Sequence, residues 1–274
     1  MTGTKIVKLR LEDGRKENLP GLRDVLSEPQ AEELVRICGR INYDDAGKYY
    51  KLALAATKKY NLTSLELQTV VEGLEKSSSA GYESLNRSGI FLTALIQNSK
   101  QREFTIKTNK PLNCFGCSLS GHKSITVNGD LGHNAGLDMI NGTIHVYGKT
   151  GNSTGNSMDG GAIIVEEYMG SNTGFMMSGG TIICHGSSGS RTGHAMACRR
   201  GMTSRIEIRK DAGDGTGFMM SSGAEIEIGG NAGDGLGEDM HGGVIRVKGK
   251  IGSISPKFGS GEIWEGDVKK RPEK

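Results

Sequence analysis

Gly230-Asn-Ala-Gly233-Asp-Gly-Leu-Gly237-Glu-Asp-Met240-His-Gly-Gly243-Val-Ile245-Arg-Val247-Lys-Gly249 is the stretch that decides the fold. A glycine at 233 is followed four residues later by Gly237, and three residues after that by Met240. A short strand pattern then places Ile245 and Val247 on one face and Arg246 on the other. The same spacing runs upstream through Gly132, Gly136 and Met139, Gly151, Gly155 and Met158, and Gly170, Gly174 and Met177. It continues through Gly189, Gly193 and Met196, then Gly213, Gly217 and Met220, with a degenerate further start at Gly252. Successive starts lie 19, 19, 19, 24, 20 and 19 residues apart. One short strand per unit of about this length defines a solenoid, whose units bury their apolar faces only by stacking on one another.

Each part of the unit has a physical use. The apolar pairs Ile144/Val146, Ile163/Val165, Ile182/Cys184, Ile206/Ile208, Ile226/Ile228 and Ile245/Val247 form one face of a stacked sheet. The glycines suit corners that need positive φ or close backbone approach. The methionines recur at a single phase, which favours an inward plug at a corner over a metal-binding ladder. The 24-residue interval predicts a loop bulging near Cys198-Arg199-Arg200-Gly-Met202.

Composition agrees. The chain has 274 residues, 43 of them Gly, with aromatics at 5%, which fits a thin solenoid core better than a sandwich. A net charge of +3 does not argue for a nucleic-acid partner, and no apolar run reaches membrane-spanning length. The start, Met1-Thr-Gly-Thr-Lys5, has no apolar stretch of the signal-peptide kind, so a cytoplasmic location is expected. Five irregularly spread cysteines argue against a disulfide framework.

Residues 1–100 read as a separate, mainly helical domain. A strand pattern at Lys5–Leu11 and a turn at Asp13-Gly14 precede a helix opening near Ser27 and Pro29, with Leu34, Val35, Cys38 and Ile41 on one face. A second helix is expected over about 45–60. Thr63-Ser-Leu-Glu66 is a capping box that opens a third, carrying Leu67, Val70, Val71 and Leu74. Ser77–Gly81 reads as a loop before a fourth helix within 81–97. This domain is expected to cap the solenoid and to dock a partner. Residues 101–265 form the solenoid, and 266–274 a solvated tail.

Candidate chemistry is sparse. Cys114-Phe-Gly-Cys117, with His122 near, admits a metal site or a redox pair, but one such pair without a second is weak. Small corner residues of an early coil are the leading reading. Asp130, Asp214 and Asp234 lack the nonapeptide period of a calcium roll. The six histidines, His122, His133, His145, His185, His194 and His241, share no phase, so no general base can be named. Arg199 and Arg200 stand in the insertion, where a loop can grip a carboxylate, a phosphate or an acidic partner surface without disturbing the coil. No catalytic, cofactor or metal residue is assigned within the chain.

The pattern Gly-x-x-Gly-x-x-x-Gly-x-x-Met-x-x-Gly followed by a strand resembles the GXGXG domain family. That family includes the carboxyl-terminal domain of the glutamate synthase large subunit, the separate subunit of split glutamate synthases and one of the subunits of formylmethanofuran dehydrogenase. The opening segment, Phe104-Thr-Ile-Lys-Thr-Asn-Lys110 and then Gly116-Cys-Ser-Leu-Ser-Gly121, looks like that of the glutamate synthase branch, with Lys110 where arginine is usual. The resemblance implies a right-handed parallel β-helix with a structural role, beside partner subunits that carry glutaminase and flavin chemistry. An alternative is a formylmethanofuran-dehydrogenase-like complex. Flavin, iron-sulfur or molybdenum/tungsten centres would then belong to partners. A third alternative is a freestanding enzyme or binding protein that uses the Cys114/Cys117 or Arg199/Arg200 region.

Overall fold

The computed structural model describes residues 28–40, 46–77, 82–199 and 202–272. The strand and turn expected between Lys5 and Gly14 lie outside these residues, as do Ile41, most of the Ser77–Gly81 loop, and Arg200. The described chain is mainly β: a parallel β-solenoid of about eight turns, preceded by four helices.

Strands β1 (Glu103–Lys107), β2 (Ser124–Asn128), β3 (Thr143–Tyr147), β4 (Lys149–Thr150), β5 (Ala162–Val165), β6 (Tyr168–Met169), β7 (Gly180–Cys184) and β8 (Ser187–Ser188) make up the first half. The second half holds β9 (Ser204–Ile208), β10 (Ala224–Ile228), β11 (His241–Val247), β12 (Ser260–Glu265) and β13 (Val268–Lys270). One long sheet runs β1-β2-β3-β5-β7-β9-β10-β11-β12-β13, and β4-β6-β8 form a small second sheet. All pairs in the long sheet are parallel except β12 with β13.

Register stacks like on like. Phe104, Ile125, Ile144, Ile163, Ile182, Ile206, Ile226, Ile245 and Ile263 form one interior row. Each is at most 2% exposed, and complete burial of such a side chain contributes about 1.5–3 kcal/mol. The six repeat methionines are fully buried beside this row: a Cβ on Gly136 would meet Ile163 Cδ1 at 2.4 Å and Met139 Sδ at 3.7 Å. A further buried row is formed by the threonines Thr154, Thr173, Thr192 and Thr216. Each donates its hydroxyl to the carbonyl three residues earlier, at 2.9–3.2 Å.

The glycines are there for space as well as conformation. Gly174 has φ +68°, and a Cβ there would meet Ile206 Cδ1 of the next turn at 2.5 Å. Gly170, by contrast, is needed for approach: its Cβ would meet the Gly151 carbonyl carbon at 2.6 Å.

Helices α1 (Glu28–Arg40), α2 (Ala46–Thr57), α3 (Ser64–Ser77) and α4 (Tyr82–Asn98) cover the β1 end. The capping box forms: Thr63 N and Oγ1 both donate to Glu66 Oε2, at 2.6 and 2.8 Å. Leu67, Val70, Val71 and Leu74 are buried, as are Leu34 and Cys38. Polar side chains of the helices also satisfy the backbone of the first turn. Gln68 accepts from Lys107 N at 2.7 Å and donates to Lys107 O at 3.2 Å, and Ser64 Oγ accepts from Thr105 N. Glu75 takes the N–H groups of Asn109 and Lys110, and Thr93 Oγ1 that of Gly116.

The far end departs from expectation. Residues after 265 were expected to be a solvated tail, but Val268–Lys270 fold back as an antiparallel strand on β12. The physical reason is that β12 would otherwise present an unpaired edge. Lys269 reaches Glu262 at 2.7 Å, Lys270 reaches Glu265 at 3.6 Å, and Glu265 accepts the Ile251 N–H.

Candidate functional site

The repeat itself consumes most of the residues that carried candidate chemistry. Asp130 Oδ1 accepts the Lys149 N–H at 2.8 Å, and Asp214 Oδ1 accepts that of Asp234 at 2.9 Å. Asp234 Oδ1 in turn accepts from Ser253 Oγ. These carboxylates join one turn to the next.

Cys114 and Cys117 occupy a corner of the first turn. Cys114 has φ 54°, like Asn134 one turn on, and the Cys117 N–H returns to the Cys114 carbonyl at 3.3 Å. Both side chains are buried thiols outside any disulfide, and burial pushes the Cys114 thiol up. Tyr50 of α2 is buried as well. Its hydroxyl is buried without a hydrogen-bond partner among the described residues, and burial raises its pKa. His122 is exposed, and its N–H is bound by Asn141 Oδ1. Among the described residues, no group of three or more His, Cys, Asp or Glu is arranged to hold a metal ion.

On the outer face of the long sheet, three residues that sequence reasoning left apart come together. Glu166 lies between two imidazoles: His145 Nε2 at 2.6 Å from one carboxylate oxygen and His185 Nδ1 at 2.6 Å from the other. The two imidazoles, His145 first, hold the Glu166 carboxyl below the usual carboxylate range. Tyr147 stacks on His145 with ring centroids 4.3 Å apart, and its ring is largely exposed. This arrangement clamps three adjacent turns. The signal was in the numbering. Glu166 and His185 are 19 residues apart, one period, whereas His145 and Glu166 are 21 apart and sit on neighbouring rows of adjacent turns. Further along the same face, Arg205 binds Glu225 at 3.3 Å and Glu227 at 2.6 Å, and Lys248 joins Glu227 at 2.8 Å.

The insertion after Met196 is a tied loop. The Met202 N–H bonds to Arg199 O at 2.9 Å, and Cys198 Sγ lies against Met202 O. Arg199 N is held by Ser178 O, and its guanidinium pairs with Asp159 at 3.2 Å. Beside this loop runs a corner where Phe175, His194 and Phe218 of three successive turns are in contact. Ring centroids are 4.7 Å apart in both pairs, and Arg191 lies 5.7 Å over Phe218. Burial, followed by the Arg191 charge, depresses the His194 pKa.

No helix among the described residues is long and apolar enough to cross a membrane. Comparison of the chain with protein-family models, with curated proteins and with solved structures finds no match.

Proposed function

We propose that this chain is a non-catalytic β-solenoid subunit of a glutamate-synthase-like amidotransferase or oxidoreductase assembly. Larger partner subunits of the glutaminase and flavin-domain type would carry the active centres. The repeat pattern and the Phe104–Gly121 opening segment support this branch.

The observation that carries the reading is where the pattern residues go. The repeat methionines are core, and the repeat glycines stand at corners or close stacking contacts. The aspartates of the repeat bind backbone N–H groups of the following turn. What departs from the repeat lies on the outside: the helical cap, the Arg199 loop and the aromatic corner beside it. A scaffold recognises partners through such departures because they leave the stack intact.

The test is to purify the chain alone and within its native assembly. The expected result is no turnover by the single chain, and glutaminase and flavin-domain subunits in the assembly. Turnover by the pure chain, abolished by a point change in it, would sink the proposal.

A further inference from the structure

One row of corner residues breaks its own rule. The sixth residue after each repeat's first glycine has left-handed backbone: Asp138, Ser157, Met176, Ala195, Met219 and Asp239, with φ between 48° and 54°. Aspartate and serine suit this position, because a short polar side chain bonds locally there. Methionine gains nothing from it, yet Met176 is 55% exposed and Met219 44%. The preceding row changes in the same turns, from Leu137 and Asn156 to Phe175, His194 and Phe218, and back to Glu238.

Backbone bonds tie these turns directly. Met176 N donates to His194 O at 2.9 Å, and Ala195 N to Phe218 O at 2.7 Å. Met202 of the insertion, also half exposed, has its sulfur 3.0 Å from where a Cβ of Gly179 would be. The result is one apolar strip across three turns. The flanking turns show that Asp and Ser make the same corner, so neither the unfavourable conformation nor the exposure serves the fold.

The charges at its edges define what fits. Arg191 precedes His194 on one flank, and among the described residues its guanidinium has the Phe218 ring but no carboxylate as partner. Arg199 leaves the other flank already paired with Asp159 at 3.2 Å, and the next turn ends the strip with Glu238, paired with Lys257 at 3.1 Å, and Asp239, so Arg191 is the bordering cation without an ion-pair partner among the described residues. A second copy docked about a two-fold axis that crosses the strip at His194 would keep each flank on its own side and set Arg191 against Arg191.

We propose that this strip is the docking surface for a segment of a different protein, one that presents apolar side chains with Asp or Glu on the side that meets Arg191. The proposal rests on the subunit reading above and specifies its interface.

The test places a photo-crosslinking benzoylphenylalanine at Met176 of the full chain in its native cell and maps the crosslinked peptide. In parallel, the double variant Met176→Ser with Met219→Asp is assayed for assembly and melting. The expected adduct is a carboxylate-flanked apolar segment of another protein. The double variant should melt at or above the parent temperature and lose roughly ten-fold or more in assembly affinity. An adduct to this same chain, a basic-flanked peptide or no adduct would overturn the proposal. So would undiminished assembly, or a melting temperature well below the parent's. A carboxylate-flanked partner that is neither glutaminase nor flavin-domain in type supports the docking surface and removes the subunit reading.

Discussion

The two ends of the solenoid solve one problem in opposite ways. At the β1 end, Phe104 and Phe115 are buried beneath four helices, and Ser64, Gln68, Glu75 and Thr93 take up the backbone groups of the first turn. At the β12 end a three-residue strand, rich in lysine and largely exposed, lies along the edge. The first end is finished like a domain core. The second is blunted by charge, the way open sheet edges commonly are. The contrast teaches that one requirement, a satisfied sheet edge over a covered last turn, is met by a helical cap at one end and by a short strand with Ile254 and Phe258 at the other.

The comparison can be broken most severely at the buried end. Phe104→Asp puts a carboxylate at the head of the isoleucine row and should cost about 4 kcal/mol or more. Val268→Asp, at a site 59% exposed, should change stability by less than about 0.5 kcal/mol. Denaturant titration of the two variants decides it, and similar midpoints would erase the asymmetry.

Between the ends, Gly174→Ala should cost about 2–4 kcal/mol, through both the left-handed backbone and the clash with Ile206. A loss this large in mid-stack, read from the same denaturant midpoints, would show that the turns, and not only the caps, limit stability.

A smaller effect isolates the polar part of the helical cap. Gln68→Ala hands the exposed Lys107 N–H and C=O to water and should cost about 1 kcal/mol. Lys269→Ala at the other end removes only an exposed ion pair and should cost about 0.5 kcal/mol or less.

The smallest effect concerns acid. The Ile251 N–H, then Lys270 and Lys250, hold the Glu265 carboxyl below its usual range. A depressed carboxylate pKa gives stability that is present above the unfolded value and lost as pH falls through the folded one. The Ile251 amide should therefore lose exchange protection below about pH 4.5, and Glu265→Gln should abolish that dependence. Unchanged protection across this range would show that Glu265 is not what holds the edge.

The interior was readable from the numbering because a period near 19 forces like residues into register, down to Cys184 standing in the valine row. The capping box was readable because it is local. What escaped were meetings between rows. The His145–Glu166–His185 cluster needs one period plus two residues, which a search at constant phase passes over. Strand β13 escaped because three residues containing two lysines carry no strand pattern, and only the open edge of β12 makes them one. The exposed Met176 and Met219 escaped for a further reason. Each directly precedes a repeat methionine, Met177 or Met220, so the pair reads as core until the backbone places one residue in and the other out.

The parallel stack also makes the molecule a mechanical element. Neighbouring turns are joined along the axis by backbone hydrogen bonds that a pull on the two ends loads in series, not side by side. Such bonds open as a zipper does, one rung before the next. Each released turn of 19 residues pays out about 60 Å of chain. Stretched end to end, the solenoid should lengthen turn by turn, with one longer step at the 24-residue interval between Gly189 and Gly213.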